Sequence, residues 1–232
     1  MKRGGIDNIF VAWYNLTKLP PREMESGKMD KGGVIMKRLE IRKLFHENNG
    51  IMKTSDLYIN GVTKYEIKKF TDSQFLERIS KGNYKLFAED ISDVKLISLL
   101  LPEAVICFDT ALYNYGYTER TPIEWHLAID KDISKSRVRI DYPYIKAYFV
   151  EHSLVYLGVE DIVIEDVKMK IYSRDRLICD CLKYERKMDV EIFNKAIINY
   201  IKDPKKNISK LMEIAKIRGV EKKVYDKIGM WL

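Results

Sequence analysis

Between Leu39 and Leu86 the apolar residues fall into three helix-period clusters and then two short strand runs, each closed by turn chemistry. That order leaves few folds open. Leu39, Ile41, Leu44 and Phe45 make one helix face, ending at Asn48-Asn49-Gly50, residues that suit a helix C-terminus. Met52 to Ile59 predicts a short second helix opened by capping residues, and Asn60-Gly61 supplies a tight turn because both tolerate positive φ. Thr63 then caps a third helix through Phe70, with Glu66 three residues on completing a capping box. Val62, Ile67 and Phe70 face the core of this arrangement, while Lys64, Tyr65, Lys68 and Lys69 lie on or beside its outer face. Phe75–Ile79 and Tyr84–Phe87 read as strands around Ser80-Lys81-Gly82-Asn83, a glycine-containing hairpin with a basic tip. The whole predicts a winged helix-turn-helix over residues 36–89.

Charge points the same way. The chain carries 41 basic and 34 acidic residues, and the surplus is uneven: 11 against 7 from Met36 to Glu89, but 24 against 23 from Asp90 onward. A polyanion is the simplest partner for the N-terminal surplus, against ordinary solvation of a charged face. If that partner is double-stranded DNA, the third helix enters the major groove with its first turns against the bases. Thr63, Lys64, Tyr65 and Lys68 become the contact candidates, with Lys69 nearer the backbone. Lys53 and Thr54 open the preceding helix, where amide groups can hold a phosphate. Lys81 and Asn83 sit at the hairpin tip. Asp72 and Glu66 weaken the local field, so binding through two or more copies on repeated half-sites is expected.

The first 35 residues read poorly as structure; Pro20-Pro21 leads into a polar stretch without sustained period. Lys31-Gly32-Gly33 just before Met36 can be encoded by a purine-rich string like a bacterial ribosome-binding site. Residues 1–35 are therefore read as a translated leader or a flexible arm. They lack the continuous apolar segment of a signal peptide. No apolar run approaches the ~20 residues of a membrane span, and three cysteines without scaffold spacing suit a reducing cytoplasm.

From Ser92 the pattern becomes α+β, over residues 90–232. Val94 to Leu101 suggests a buried helix, and Ala104 to Tyr117 a second one. Strand signals follow at Ile123–Ile129, Val138–Tyr142, Ala147–Val150 and Val167–Ile171. The chain then reads as helical over Arg174–Lys187, Asp189–Ile201, Ile208–Arg218 with Gly219 as C-cap, and Val220–Ile228. This predicts a larger mixed domain with a small, mostly antiparallel sheet and C-terminal helices.

Three places together resemble the AbiEi family, the antitoxins of abortive-infection AbiE systems. One is the segment from Gly50-Ile51-Met52 to Gly82-Asn83-Tyr84-Lys85-Leu86. Another is Ala111 through Thr118, followed by Trp125-His126-Leu127-Ala128. The third runs from Ile171-Tyr172-Ser173-Arg174-Asp175-Arg176 to Asp180, then Leu182-Lys183-Tyr184 and Lys187-Met188-Asp189. The resemblance implies a DNA-binding antitoxin that represses its own operon at inverted repeats. It also implies a second domain that counteracts a nucleotidyltransferase-type toxin without an obligatory stable complex, in a type IV system. The third helix departs from the arginine-rich version common in that family by using Lys64, Lys68 and Lys69. Lysine offers a point charge rather than a bidentate fork, which bears on base-specific reading.

Catalytic groupings do not emerge, and no cofactor or metal is expected. Asp175 and Asp180 lie roughly 140° apart on a helix, too far round to share a metal. Asp175 reads as a helix-start charge and Asp180 as the partner of a basic group. Cys179 and Cys181 point to different helix faces, and His46, His126 and His152 are isolated in sequence. Neither a phosphate-binding loop nor a Gly-Ser motif with paired aspartates occurs. Of the 15 tyrosines, Tyr142, Tyr144, Tyr148, Tyr184 and Tyr200 fall where exposure is plausible, some near Lys146, Lys183 and Lys187. Two other readings stay open: a transcription factor without antitoxin role, and a nuclease or nucleotide-transfer enzyme with Asp175 and Asp180 at its metal site.

Overall fold

The computed structural model describes residues 31–229. It divides the described chain into two compact units, one running to Arg78 and including Gly82–Asp90, the other made of Ile79–Lys81 and the residues from Ile91 on. Together they hold ten α-helices, a small three-stranded sheet and a five-stranded mixed sheet, a mixed α+β architecture. None of these helices is long and apolar enough to cross a membrane.

In the first unit, α1 (Lys31–Glu47) leads into β1 (Ile51–Lys53), α2 (Thr54–Ile59), α3 (Lys64–Asp72), β2 (Leu76–Ser80, its last two residues counted with the second unit) and β3 (Asn83–Leu86). The sheet order is β1-β3-β2. Helix α1 crosses the boundary proposed at Met36, while residues 1–30 of the proposed leader lie outside the described residues. The core gathers Ile41 and Phe45 from α1, Leu57 from α2, and Val62, Ile67 and Phe70 around α3, with Phe75 and Leu86 from the hairpin region. Two details differ from expectation. Met52 and Lys53 belong to a strand, not to a helix, because Ile51, Met52 and Lys53 pair with Lys85, Tyr84 and Asn83. The hairpin turn is also tighter, with only Lys81 and Gly82 between the strands and Gly82 at φ +80.

The second unit runs α4 (Asp93–Leu100), β4 (Val105–Ile106), α5 (Phe108–Asn114), β5 (Trp125–Asp130), β6 (Ile145–Val150), α6 (His152–Val155), β7 (Val159–Ile164) and β8 (Val167–Tyr172). Helices α7 (Arg174–Tyr184), α8 (Val190–Lys202), α9 (Ile208–Arg218) and α10 (Glu221–Ile228) follow, with a 3-10 turn at Glu185–Lys187. The strand order is β6-β5-β4-β8-β7. Strands β4/β5 and β7/β8 pair antiparallel, whereas β4/β8 and β5/β6 pair parallel. The expectation of a mostly antiparallel sheet is corrected accordingly. The segment read as one helix from Ala104 divides into a two-residue central strand and a shorter helix. Val138–Tyr142 forms no named strand; β7 and α6 were not anticipated.

Alternation along the strands separates two apolar sets. Ile106, Leu127, Ile129 and Ile171 join the main core with the helices, while Val105, Ala128 and Tyr172 join a smaller cluster with Cys107 and Phe108. Helix α7 is the spine of the main core: every residue from Asp175 to Leu182 is buried. Gly158 approaches it closely. At φ +67, a Cβ added there would sit 2.8 Å from Arg176 Cβ and 3.0 Å from Ile214 Cδ1, so only glycine fits.

Candidate nucleic-acid interface

The N-terminus of α3 is built as its sequence requires. Thr63 Oγ1 accepts the Glu66 amide, and the Thr63 amide donates to Glu66 Oε2 at 2.8 Å, a complete capping box. Ile67 and Phe70 anchor one side in the core. On the other side Thr63, Lys64, Tyr65, Lys68 and Lys69 are all exposed, Tyr65 by 75%. Residues four apart stack on one helix face, so Lys64 and Lys68 make one strip and Tyr65 and Lys69 an adjacent one. An exposed tyrosine between lysines offers a flat ring beside point charges, chemistry suited to a nucleic-acid backbone.

Glu66 does not weaken this face as its charge alone suggests. Its carboxylate meets the Lys37 ammonium, and that ion pair, with the capping bonds from Thr63, holds its pKa down at about 2 against an ordinary 4.5. Lys37 carried no signal in the sequence because its partner lies 29 residues away. A carboxyl whose pKa is lowered by folding contributes stability above its unfolded pKa and loses it as pH falls through the folded value. Glu66→Gln is therefore expected to be less stable than the parent at neutral pH. The gap should close between about pH 4.5 and pH 2, read from urea midpoints across that range. A gap independent of pH would reject the ion pair as its cause.

The remaining candidates are only partly assembled. Lys53 is exposed and stands beside Asn83 in the β1/β3 register, so Asn83 belongs to the strand ladder and not to the hairpin tip. Lys81 is exposed in the turn itself. Thr54 is corrected as a phosphate ligand: its amide donates to the Gly82 carbonyl at 2.8 Å, and Oγ1 to the same oxygen at 3.2 Å. Those contacts tie the start of α2 to the hairpin turn.

In the second unit the residues that might have suggested metal chemistry have structural duties. Asp175 Oδ1 accepts the Tyr200 hydroxyl at 2.8 Å and the Asn207 amide at 3.0 Å, while Ser173 is the N-cap of α7. Asp180 Oδ2 accepts Arg176 Nε at 2.9 Å and Oδ1 accepts Arg218 Nε at 2.8 Å. Tyr200, expected to be exposable, is completely buried, and burial pushes its phenol pKa up. Tyr142 and Tyr144 are exposed. Cys107, Cys179 and Cys181 are buried, and their thiols are pushed up by that burial.

The histidines differ among themselves. His46 is exposed, 3.1 Å from Glu89. His152 bonds Asp130, and with Asp132 these residues offer three possible ligand atoms within 4.8 Å of one another, a proximity that sequence isolation did not reveal. His126 is buried; its Nδ1 accepts the Asp109 amide at 3.3 Å, and burial pushes its pKa below the ordinary imidazole value. No protein-family model matches this sequence, and no curated protein matches it.

Proposed function

We propose that the chain is a DNA-binding regulator whose first unit is a winged helix-turn-helix, with α3 as the helix that enters the major groove. One observation carries the reading: Lys64, Tyr65, Lys68 and Lys69 are all exposed on a helix whose opposite side is fixed in a core by Ile67 and Phe70. A rigid helix presenting cations and an aromatic ring is what groove docking requires. Lys53 and Lys81 add phosphate contacts. Asn83, as a strand residue, contributes only from the side of the hairpin.

The AbiEi resemblance extends this proposal. The chain then acts in the cytoplasm as antitoxin and autorepressor, binding inverted repeats in its own promoter as two or more copies, and counteracting a nucleotidyltransferase-type toxin. The proposal gives the second unit no catalytic step. The engagement of Asp175 by Tyr200 and Asn207, and of Asp180 by two arginines, supports that reading over a metal-dependent nuclease or transferase.

A mobility-shift assay on the upstream promoter region tests the DNA half. Each phosphate contact contributes about −0.9 to the slope of log K against log salt concentration. Lys64→Ala and Lys68→Ala are each expected to flatten that slope by about one contact. Unchanged slopes for both variants reject the assignment of α3. Relief of toxicity on co-expression with a nucleotidyltransferase from the adjacent reading frame tests the antitoxin half; persistent toxicity rejects it.

A further inference from the structure

The second unit contains a pocket of about 730 Å³, within the usual ligand-site range of about 300–1,000 Å³. It lies against the sheet face that carries Ala128, Tyr148 and Tyr172, under the end of α7 and the 3-10 turn after it. Its walls are aromatic. The Phe108 ring lies 4.5 Å from Tyr148 and 5.7 Å from Tyr184 by centroids, and His126 lies 5.5 Å from Tyr148. Phe108 sits at φ +38, a left-handed conformation that costs a non-glycine residue energy and that is enriched at functional sites.

The charges have a direction. The lining holds the exposed Lys183 and Lys187 and the buried Arg218, whose carbonyl oxygen accepts Lys183 Nζ at 3.2 Å. Of the four carboxylates in the lining, three are already answered: Glu151 by Lys131, Asp189 by Arg120, and Asp180 by Arg176 and Arg218 together. Asp180 thus balances only one of two buried guanidinium groups. Tyr172 Oη, in the lining, is buried with no hydrogen-bond partner among the described residues, and so is Nη2 of Arg176, which stands outside the lining with its guanidinium 4.5 Å from the Tyr172 ring centroid. A buried cation in excess favours an anion nearby. The fourth carboxylate, Asp109, lies by His126 on another part of the wall, 3.9 Å from its Nδ1. It is an acceptor for a hydroxyl or an exocyclic amine.

We propose that this pocket binds a free nucleoside phosphate. The base stacks against Tyr184 and the Phe108–Tyr148 pair, the phosphate meets Lys187, Lys183 and Arg218, and Asp109 takes a polar group of the base or ribose. Aromatic rings that stack bases beside cations that meet phosphates hold single-stranded nucleic acid without sequence preference, and the same two contacts are open to one nucleotide. The site involves none of the α3 residues proposed for DNA, so it stands or falls independently of that reading.

Isothermal titration of the full chain with the four ribonucleoside 5′-monophosphates and triphosphates tests it, with ribose 5-phosphate and inorganic phosphate as comparators. At least one nucleotide is expected to bind about tenfold or more tightly than ribose 5-phosphate, the difference being the stacked base. Tyr184→Ala and Lys187→Glu are each expected to weaken that affinity about tenfold, while Lys64→Glu leaves it unchanged. Lys187 is an exposed turn residue, so its variant keeps the test decisive even if Tyr184→Ala fails to fold. Nucleotides that bind no better than inorganic phosphate overturn the proposal, as does nucleotide affinity indifferent to Lys187→Glu.

Discussion

Asp180→Ala is expected to destabilise the second unit by about 3–5 kcal/mol, the usual cost of removing one partner from a buried ion pair. The carboxylate is 3% exposed and joins Arg176, which is fully buried, to Arg218 at the end of α9. Removing it leaves two guanidinium groups in the interior without a counter-charge. The loss is a large share of the roughly 5–15 kcal/mol that holds a domain folded. Asp180→Asn keeps the shape and one acceptor but not the charge, so it should fall between parent and alanine variant. Replacing all three charged residues by apolar ones of similar volume should recover much of the loss, because the desolvation cost disappears with the charges. Denaturant midpoints measure all three; a midpoint for Asp180→Ala equal to the parent's rules out the triad as a structural element. The result also governs enzymology: activity lost in Asp180→Ala would report unfolding before chemistry.

What the sequence could reveal followed from how local each cause is. Thr63 with Glu66 and Gly219 after Arg218 mark helix ends through bonds to residues within a few positions, and those ends stand where the pattern put them. Strands need distant partners. Ile51–Lys53 is too short to show alternation and becomes a strand because Asn83–Lys85 lies alongside. Val105-Ile106 looks like the start of a helix, yet it is held between β5 and β8. The parallel pairing of β5 and β6 depends on the path of residues 131–144, which carries no local signature. The candidate interface shows the same divide. The exposed strip of α3 followed from helical period, but the Thr54 contact to Gly82 and the Lys37 contact to Glu66 cross 28 and 29 residues. The pocket was half visible, since Tyr148, Tyr184, Lys146, Lys183 and Lys187 stood out by composition. Their convergence with Phe108, Asp109 and His126 required the sheet.

Reversing the charge of the α3 strip should have the largest effect on DNA binding. In the proposed function, Lys64→Glu with Lys68→Glu removes two phosphate-directed cations and places two anions one helical turn apart against a polyanion. At physiological salt one lost phosphate contact weakens binding about fivefold; two, with the added repulsion, amount to about a hundredfold per copy. If two copies bind an inverted repeat together, the factor applies to each and compounds in the apparent affinity of the pair. Stability should change little, because both side chains are exposed on the side of the helix away from the core that Ile67 and Phe70 anchor. That separation makes the measurement discriminating. Mobility shift across a salt series should show the double variant losing promoter binding most at low salt, where electrostatic contacts count most. A folded double variant that still binds the promoter with the parent's affinity and salt slope would remove α3 from the interface and with it the helix-in-groove reading of the first unit.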